Sequence, residues 1–233
     1  MEGIREETVG IFSKLKQATV WAHGRWLLFR QLFADEHGER IPLLNQTSPM
    51  MFNVILYAML DDLTLFLCKV TDRPQMMGRQ NMVVEQLVLA VAEDYTTAVG
   101  ANVAPGPVDR LRDLRDRLRA SIDSASQVVG PLREYRNKII AHWDWDLAQG
   151  TNVAPLPDRS RDLVERSLRA VAAVLNVFEF ENTGTQTIYY PSLSGRDGRA
   201  LIRALREAEA YRGLVALGRA PEILLPARGE TPI

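Results

Sequence analysis

One run of apolar residues limits the possible folds of this chain more than any other feature. Phe52, Ile55, Leu56, Met59, Leu60, Leu63, Phe66, Leu67 and Val70 recur at intervals of three and four, the period of one helical face. Ser48-Pro49 supplies a cap followed by proline at the first helical position, and Thr71-Asp72-Arg73-Pro74 closes the segment. A helix this apolar has to be covered on several sides, so it predicts a central core helix surrounded by others. Its most apolar stretch, Met50 to Leu60, ends at Asp61-Asp62 and is too short to span a bilayer.

The remaining segments also read as helices. The first is predicted from about Glu6 to Ala34, with Val9, Phe12, Leu15, Thr19, Ala22 and Trp26 at helical spacing and Asp35 to Glu39 closing it. A third spans roughly Asn81 to Val99, stopped by Gly100 and the Pro105-Gly106-Pro107 turn. A fourth begins near Val108 on the stripe Val108, Leu111, Leu114, Leu118 and Ile122. A fifth starts at Gly130-Pro131, and a sixth runs from about Asp158 to Glu181. Thr185 to Tyr190 alone has strand-like composition and is expected to be a short hairpin arm or an extended loop. Gly195 to Gly198 leads into a last helix ending near Gly218. The fold class expected is all-α: an antiparallel helical bundle over residues 5–182, a C-terminal extension over 183–218 and a loose tail over 219–233.

Composition narrows the function. A formal net charge of -1 over 233 residues argues against sequence-independent coating of nucleic acid, so any such role needs a local basic site. The single cysteine, Cys68, cannot form an intrachain disulfide and suits a reducing compartment. The start, Met1 to Glu7, is acidic and lacks the apolar core of a signal peptide. Together these predict a soluble, cytoplasmic protein without a membrane role. No Gly-rich phosphate loop, zinc spacing or serine elbow is present, so neither a cofactor nor a metal is expected. The arginines of the fourth helix are largely neutralised by the pairs Asp109–Arg112, Arg112–Asp116 and Asp113–Arg117.

The heptapeptide Arg136-Asn137-Lys138-Ile139-Ile140-Ala141-His142 carries the chemistry. On an ideal helix, at roughly 100° per residue, Leu132, Tyr135, Ile139, Ile140 and Trp143 share one stripe. Arg136 falls in its middle and His142 at its edge. Arg136 therefore needs an anion, either a protein acid, with Asp62 preferred, or the phosphate of a ligand. His142 is the nearby group able to pass a proton at neutral pH. Asn137 can offer an amide to a phosphate or hydrogen-bond to solvent, Lys138 can steer a phosphate or be an ordinary surface lysine, and Asp144 or Asp146 can orient the imidazole or form the exposed end of the helix. Arg136 and His142 lie roughly 120° and about 9 Å apart on one helix, so two facing copies focus them on one bond more readily than one copy does.

The run Tyr-Arg-Asn-Lys-Ile-Ile-Ala-His-Trp-Asp resembles the signature of HEPN domains: an arginine, a polar residue, then a histidine a few residues on. Its place late in a helical chain, after a long first helix and a very apolar second one, is similar to the abortive-infection (AbiU-like) subgroup over roughly residues 5–180. The resemblance implies a homodimeric bundle and a metal-independent ribonuclease acting on RNA, in phage defence or paired with an antitoxin or other defence partner. It implies His142 as general base or acid, Arg136 as stabiliser of phosphorane charge, and Asn137 as a positioning group. Some members are inactive binding modules. Where some HEPN toxins carry a modifiable tyrosine two residues after the histidine, this chain has Asp144.

Overall fold

A computed structural model describes residues 3–34, 38–76, 78–101, 103–140, 159–189 and 197–220. Among them the chain is all-α apart from one two-residue-per-strand hairpin. The helices are α1 (Glu6–Phe33), α2 (Arg40–Thr47), α3 (Pro49–Val70), α4 (Glu85–Gly100), α5 (Pro105–Tyr135), α6 (Arg161–Thr183) and α7 (Gly198–Ala216). A π-helical turn, Arg136–Ile140, continues α5. The hairpin pairs β1 (Gln75–Met76) with β2 (Arg79–Gln80) in antiparallel register, and Gly78 takes a positive φ at its turn.

The chain divides into two units. Unit one comprises Met1–Leu27 and Ile55–Ser192; unit two comprises Leu28–Val54 and Leu193–Ile233. Helices α1 and α3 each run from one unit into the other.

In unit one, α5 packs between α4 and α6. Its buried stripe is Leu111, Leu114, Leu118, Ile122, Ala125, Val129 and Leu132. It meets Leu87, Val88 and Val91 of α4 and Val164, Leu168, Val171, Leu175 and Phe178 of α6 in one core. Phe12 of α1 lies against Phe178, with ring centroids 5.0 Å apart. Arg5 clamps the start of α1 to α4: it donates to Asp94 and, at 2.8 Å, to Glu93. Thr8 completes the clamp with a 2.8 Å bond to the buried Asp94 carboxylate. On the other side, Glu179 of α6 accepts from Lys16 and from Thr187.

One expectation is corrected, and two segments left unassigned or open are filled in. Gly130-Pro131 does not start a new helix; α5 continues through it. The apolar stripe runs on from Ile122 through Ala125, Val129 and Leu132, while Pro131 is exposed, so its ring sits on the solvent side of an otherwise satisfied helix. Residues 40–47, to which the sequence assigned no element, form α2, in which Leu43 and Leu44 are buried. Its proline, Pro42, occupies the first turn, where the missing N–H costs little. Of the two alternatives for Thr185 to Tyr190, the loop is found: Thr185 to Tyr189 has no strand partner among the described residues, and Thr187 bonds Asn176 and Glu179 of α6. Tyr190 lies outside the described residues.

By length and composition alone α3 could cross a membrane. The two acids in its middle are ion-paired within unit one, Asp61 with Arg159 and Asp62 with Arg25.

Candidate functional site

The site lies where α5 gives way to the π turn, beside the end of α3. Pro131 has no N–H to continue the i→i−4 ladder, and five residues later the backbone closes i→i+5 rings. More residues per turn means fewer than 100° each. The wheel drawn on α-helical geometry therefore fails beyond Tyr135. Leu132 is buried, but Tyr135, Ile139 and Ile140 are only partly covered.

Arg136 is not the unpaired core cation that its spacing suggests, and its partner is not Asp62. Its Nη1 donates to Asp72 Oδ2 at 2.8 Å, and its Nε donates to Asn137 Oδ1 at 3.0 Å. Asp62 is taken by Arg25. Asp72 lies two residues past the end of α3, ten residues beyond Asp62, which sits in the middle of that helix. Arg136 and Asp72 keep 19% and 22% of their side-chain surface exposed, so the pair is largely buried and still open to solvent.

A second guanidinium shares this carboxylate. Arg133 approaches Asp72 Oδ1 at 3.4 Å and donates to the Thr71 carbonyl at 3.0 Å and hydroxyl at 2.9 Å. Arg133 and Arg136 are three apart, hence on one helix face. The spacing was visible in the sequence, but nothing local identified the acid 60 residues earlier. Among the described residues, two cations therefore share this one anion.

Beneath the cluster lies Cys68, fully buried. Burial pushes its thiol up to about 11, against the opposing pull of Arg136 and Arg133, so it is a packed apolar group and not a nucleophile. Tyr135, one residue before the turn, is covered by Arg159, whose guanidinium lies 4.3 Å from the ring centroid; such stacking is a favourable cation–π arrangement. Arg159 is in turn paired with Asp61. Lys138 is held by Glu134 at 2.7 Å, one turn back, and Asn137 is exposed.

The structure thus brings Arg136 and Asn137 into direct contact and engages Lys138 with a helix neighbour. His142, Trp143, Asp144 and Asp146 lie outside the described residues. On α5 the expected pairs Asp109–Arg112 and Asp113–Arg117 form at 3.1 and 2.9 Å, whereas Asp116 is taken by Arg115 in place of Arg112. Among the described residues no group of three His, Cys, Asp or Glu could hold a metal ion.

The family model of AbiU2 HEPN domains matches residues 5–192. No curated protein and no solved structure matches the chain.

Proposed function

We propose, given that the chain belongs to the AbiU2 family of HEPN domains, that it is a metal-independent endoribonuclease whose Arg136 and His142 act across a homodimer in phage defence or a toxin–antitoxin pair. In this reading the RNA 2′-hydroxyl loses its proton to one His142 imidazole and its oxygen bonds the adjacent phosphorus. The bond from phosphorus to the 5′-oxygen breaks, and that oxygen takes up a proton. The products are a 2′,3′-cyclic phosphate and a free 5′-hydroxyl. Arg136 stabilises charge on the phosphorane, and Asn137, already bonded to Arg136 Nε, fixes the guanidinium plane.

The observation that carries this reading is the shared Asp72 carboxylate. Arg136 is held ready at the surface by an acid that Arg133 also neutralises. A phosphate can therefore draw Arg136 away without leaving Asp72 bare, an exchange a strictly one-to-one buried pair resists. A second copy has an apolar face available in unit one, where Tyr57 of α3 is 54% exposed and Ile55, Leu56, Met59 and Leu60 are only partly covered.

The test is cleavage of mixed RNA in EDTA by the wild type, Arg136→Ala and His142→Ala, with melting curves for all three. Cleavage by the wild type alone, with both variants folded, supports the enzyme. Cleavage that needs added metal, or that persists in both variants, overturns it.

The ion pair to Asp72 also favours a second reading, a non-catalytic module in which Arg136 only ties α5 to the end of α3. That reading requires that no RNA be cut and that Arg136→Ala lower stability while His142→Ala changes nothing.

A further inference from the structure

Unit two contains a cavity of about 360 Å³ lined by Arg40, Arg199, Arg203, Arg206, Glu39 and Ile202. The sequence builds it from one helix face. Arg199, Arg203 and Arg206 stand at i, i+4 and i+7 of α7, the spacing that stacks side chains along a single side. The start of α7 is anchored by Gly198, whose N–H donates to the Gln31 side-chain oxygen at 3.0 Å. A Cβ at position 198 would fall 3.0 Å from Gln31 Cβ and 3.1 Å from a Leu28 methyl, so any larger residue would have to push these side chains aside.

Opposite α7, Arg40 is pinned by its Nη1, which donates to the carbonyls of Ala34, Gln31 and Arg30 at 2.7, 3.2 and 3.4 Å. Arg206 pairs with Glu39 at 2.7 Å. Among the described residues Glu39 is the single acid lining the cavity, and neither Arg199 nor Arg203 meets a carboxylate. Two neighbouring guanidiniums without a carboxylate, on the face that also carries Arg206, suit a multiply charged anion. The cations are all arginine, whose planar fork grips phosphate oxygens two at a time.

We propose that this cavity binds a ligand carrying linked phosphate groups. The three α7 arginines lie beyond the family match at residues 5–192, and the inference does not depend on the nuclease reading. The phosphates can belong to a free diphosphate or to an RNA backbone, and one experiment separates these sources.

The full chain is titrated with inorganic pyrophosphate by calorimetry at low salt, as wild type, Arg199→Gln/Arg203→Gln and Arg110→Gln, an exposed arginine of α5 that lines neither this cavity nor the Arg136 site, with melting curves as the folding control. Both glutamine sites of the double variant are exposed on α7, so it should fold. The expected result is saturable binding, weakened about tenfold or more in the double variant and unchanged in Arg110→Gln. An RNA oligonucleotide is then titrated against the same proteins. If RNA supplies the phosphates, the double variant also weakens RNA binding and lowers its salt slope by about two. If a free diphosphate is the ligand, RNA binding stays unchanged. Absence of pyrophosphate binding, equal binding by the folded double variant, or an equal loss in Arg110→Gln overturns the proposal.

Discussion

Arg136 and Asp72, 64 residues apart in the chain, meet through a 2.8 Å hydrogen bond that joins the π turn after α5 to the end of α3. The contact replaces Asp62, the partner the sequence preferred for Arg136, with Asp72. It also sets a conflict between two uses of the guanidinium, since a group fixed to an internal acid cannot grip a phosphate at the same time.

Asp72→Asn separates those uses. It keeps the shape and removes the charge, so both Arg133 and Arg136 lose an ionic acceptor. A hydrogen bond to a charged group contributes about 1.5–3 kcal/mol, and the melting temperature should fall accordingly. RNA affinity should rise in the same variant, because Arg136 is released. Unchanged melting would show that the pair is idle in solution.

The Arg5 clamp gives a larger effect. Arg5→Ala leaves Asp94 buried, with Thr8 as its remaining polar partner. Stranding one member of a buried pair typically costs about 3–5 kcal/mol. Arg5 itself is partly exposed, which puts the expected loss near the lower end of that range. Urea denaturation of the variant measures it, and a loss below about 1 kcal/mol would place the clamp with ordinary surface pairs.

His23 sets a pH dependence. Burial lowers its pKa from an ordinary value near 6.5 to about 4, against a hydrogen bond to the Leu168 backbone that acts the other way. Its ring lies 5.6 Å from that of Tyr189. Between these pH values the unfolded chain binds the proton and the folded chain does not. Stability therefore falls as pH drops from about 6.5 toward 4, by up to about 1.4 kcal/mol per unit. His23→Gln should flatten the profile of unfolding free energy over that window. An equal slope in the variant assigns the effect elsewhere.

Much of the fold was legible because apolar period alone determines it. The stripes on α1 and α5 became largely buried faces, whereas α3, expected as a central helix covered on several sides, is buried at Phe52, Leu63, Leu67 and Val70 and only partly covered at Ile55, Leu56, Met59, Leu60 and Phe66. Gly130-Pro131 was misread because glycine and proline act differently by position: the pair reads as a break, yet the stripe from Ile122 to Leu132 shows that the core side never stopped. The helix at 40–47 was missed because only Leu43 and Leu44 are buried, too few apolar positions to make a stripe. The site was legible as a motif but not as a geometry. The π turn changes the angle per residue after Tyr135, and the acid that answers Arg136 comes from an unrelated stretch of chain. Arg133, one turn before, was the only local hint of a shared anion.

Cys68 should be inert. Buried, with its thiol pushed up to about 11, it should react with a disulfide reagent only when the chain unfolds, since the thiolate is the attacking species. Rapid labelling of the native protein would contradict the packing around Asp72 and Arg133.

The most direct test of the central claim mixes two inactive proteins. Arg136→Ala and His142→Ala are refolded together, and RNA cleavage is followed in EDTA with identification of the product ends. If one copy supplies the arginine and the other the histidine, half the dimers are mixed and each regains one of two sites, restoring about a quarter of wild-type cleavage, with cyclic phosphate ends. Cleavage that never returns on mixing, while the wild type cuts RNA, would contradict a site shared between protomers; a wild type that cuts nothing would leave the chain a binding module.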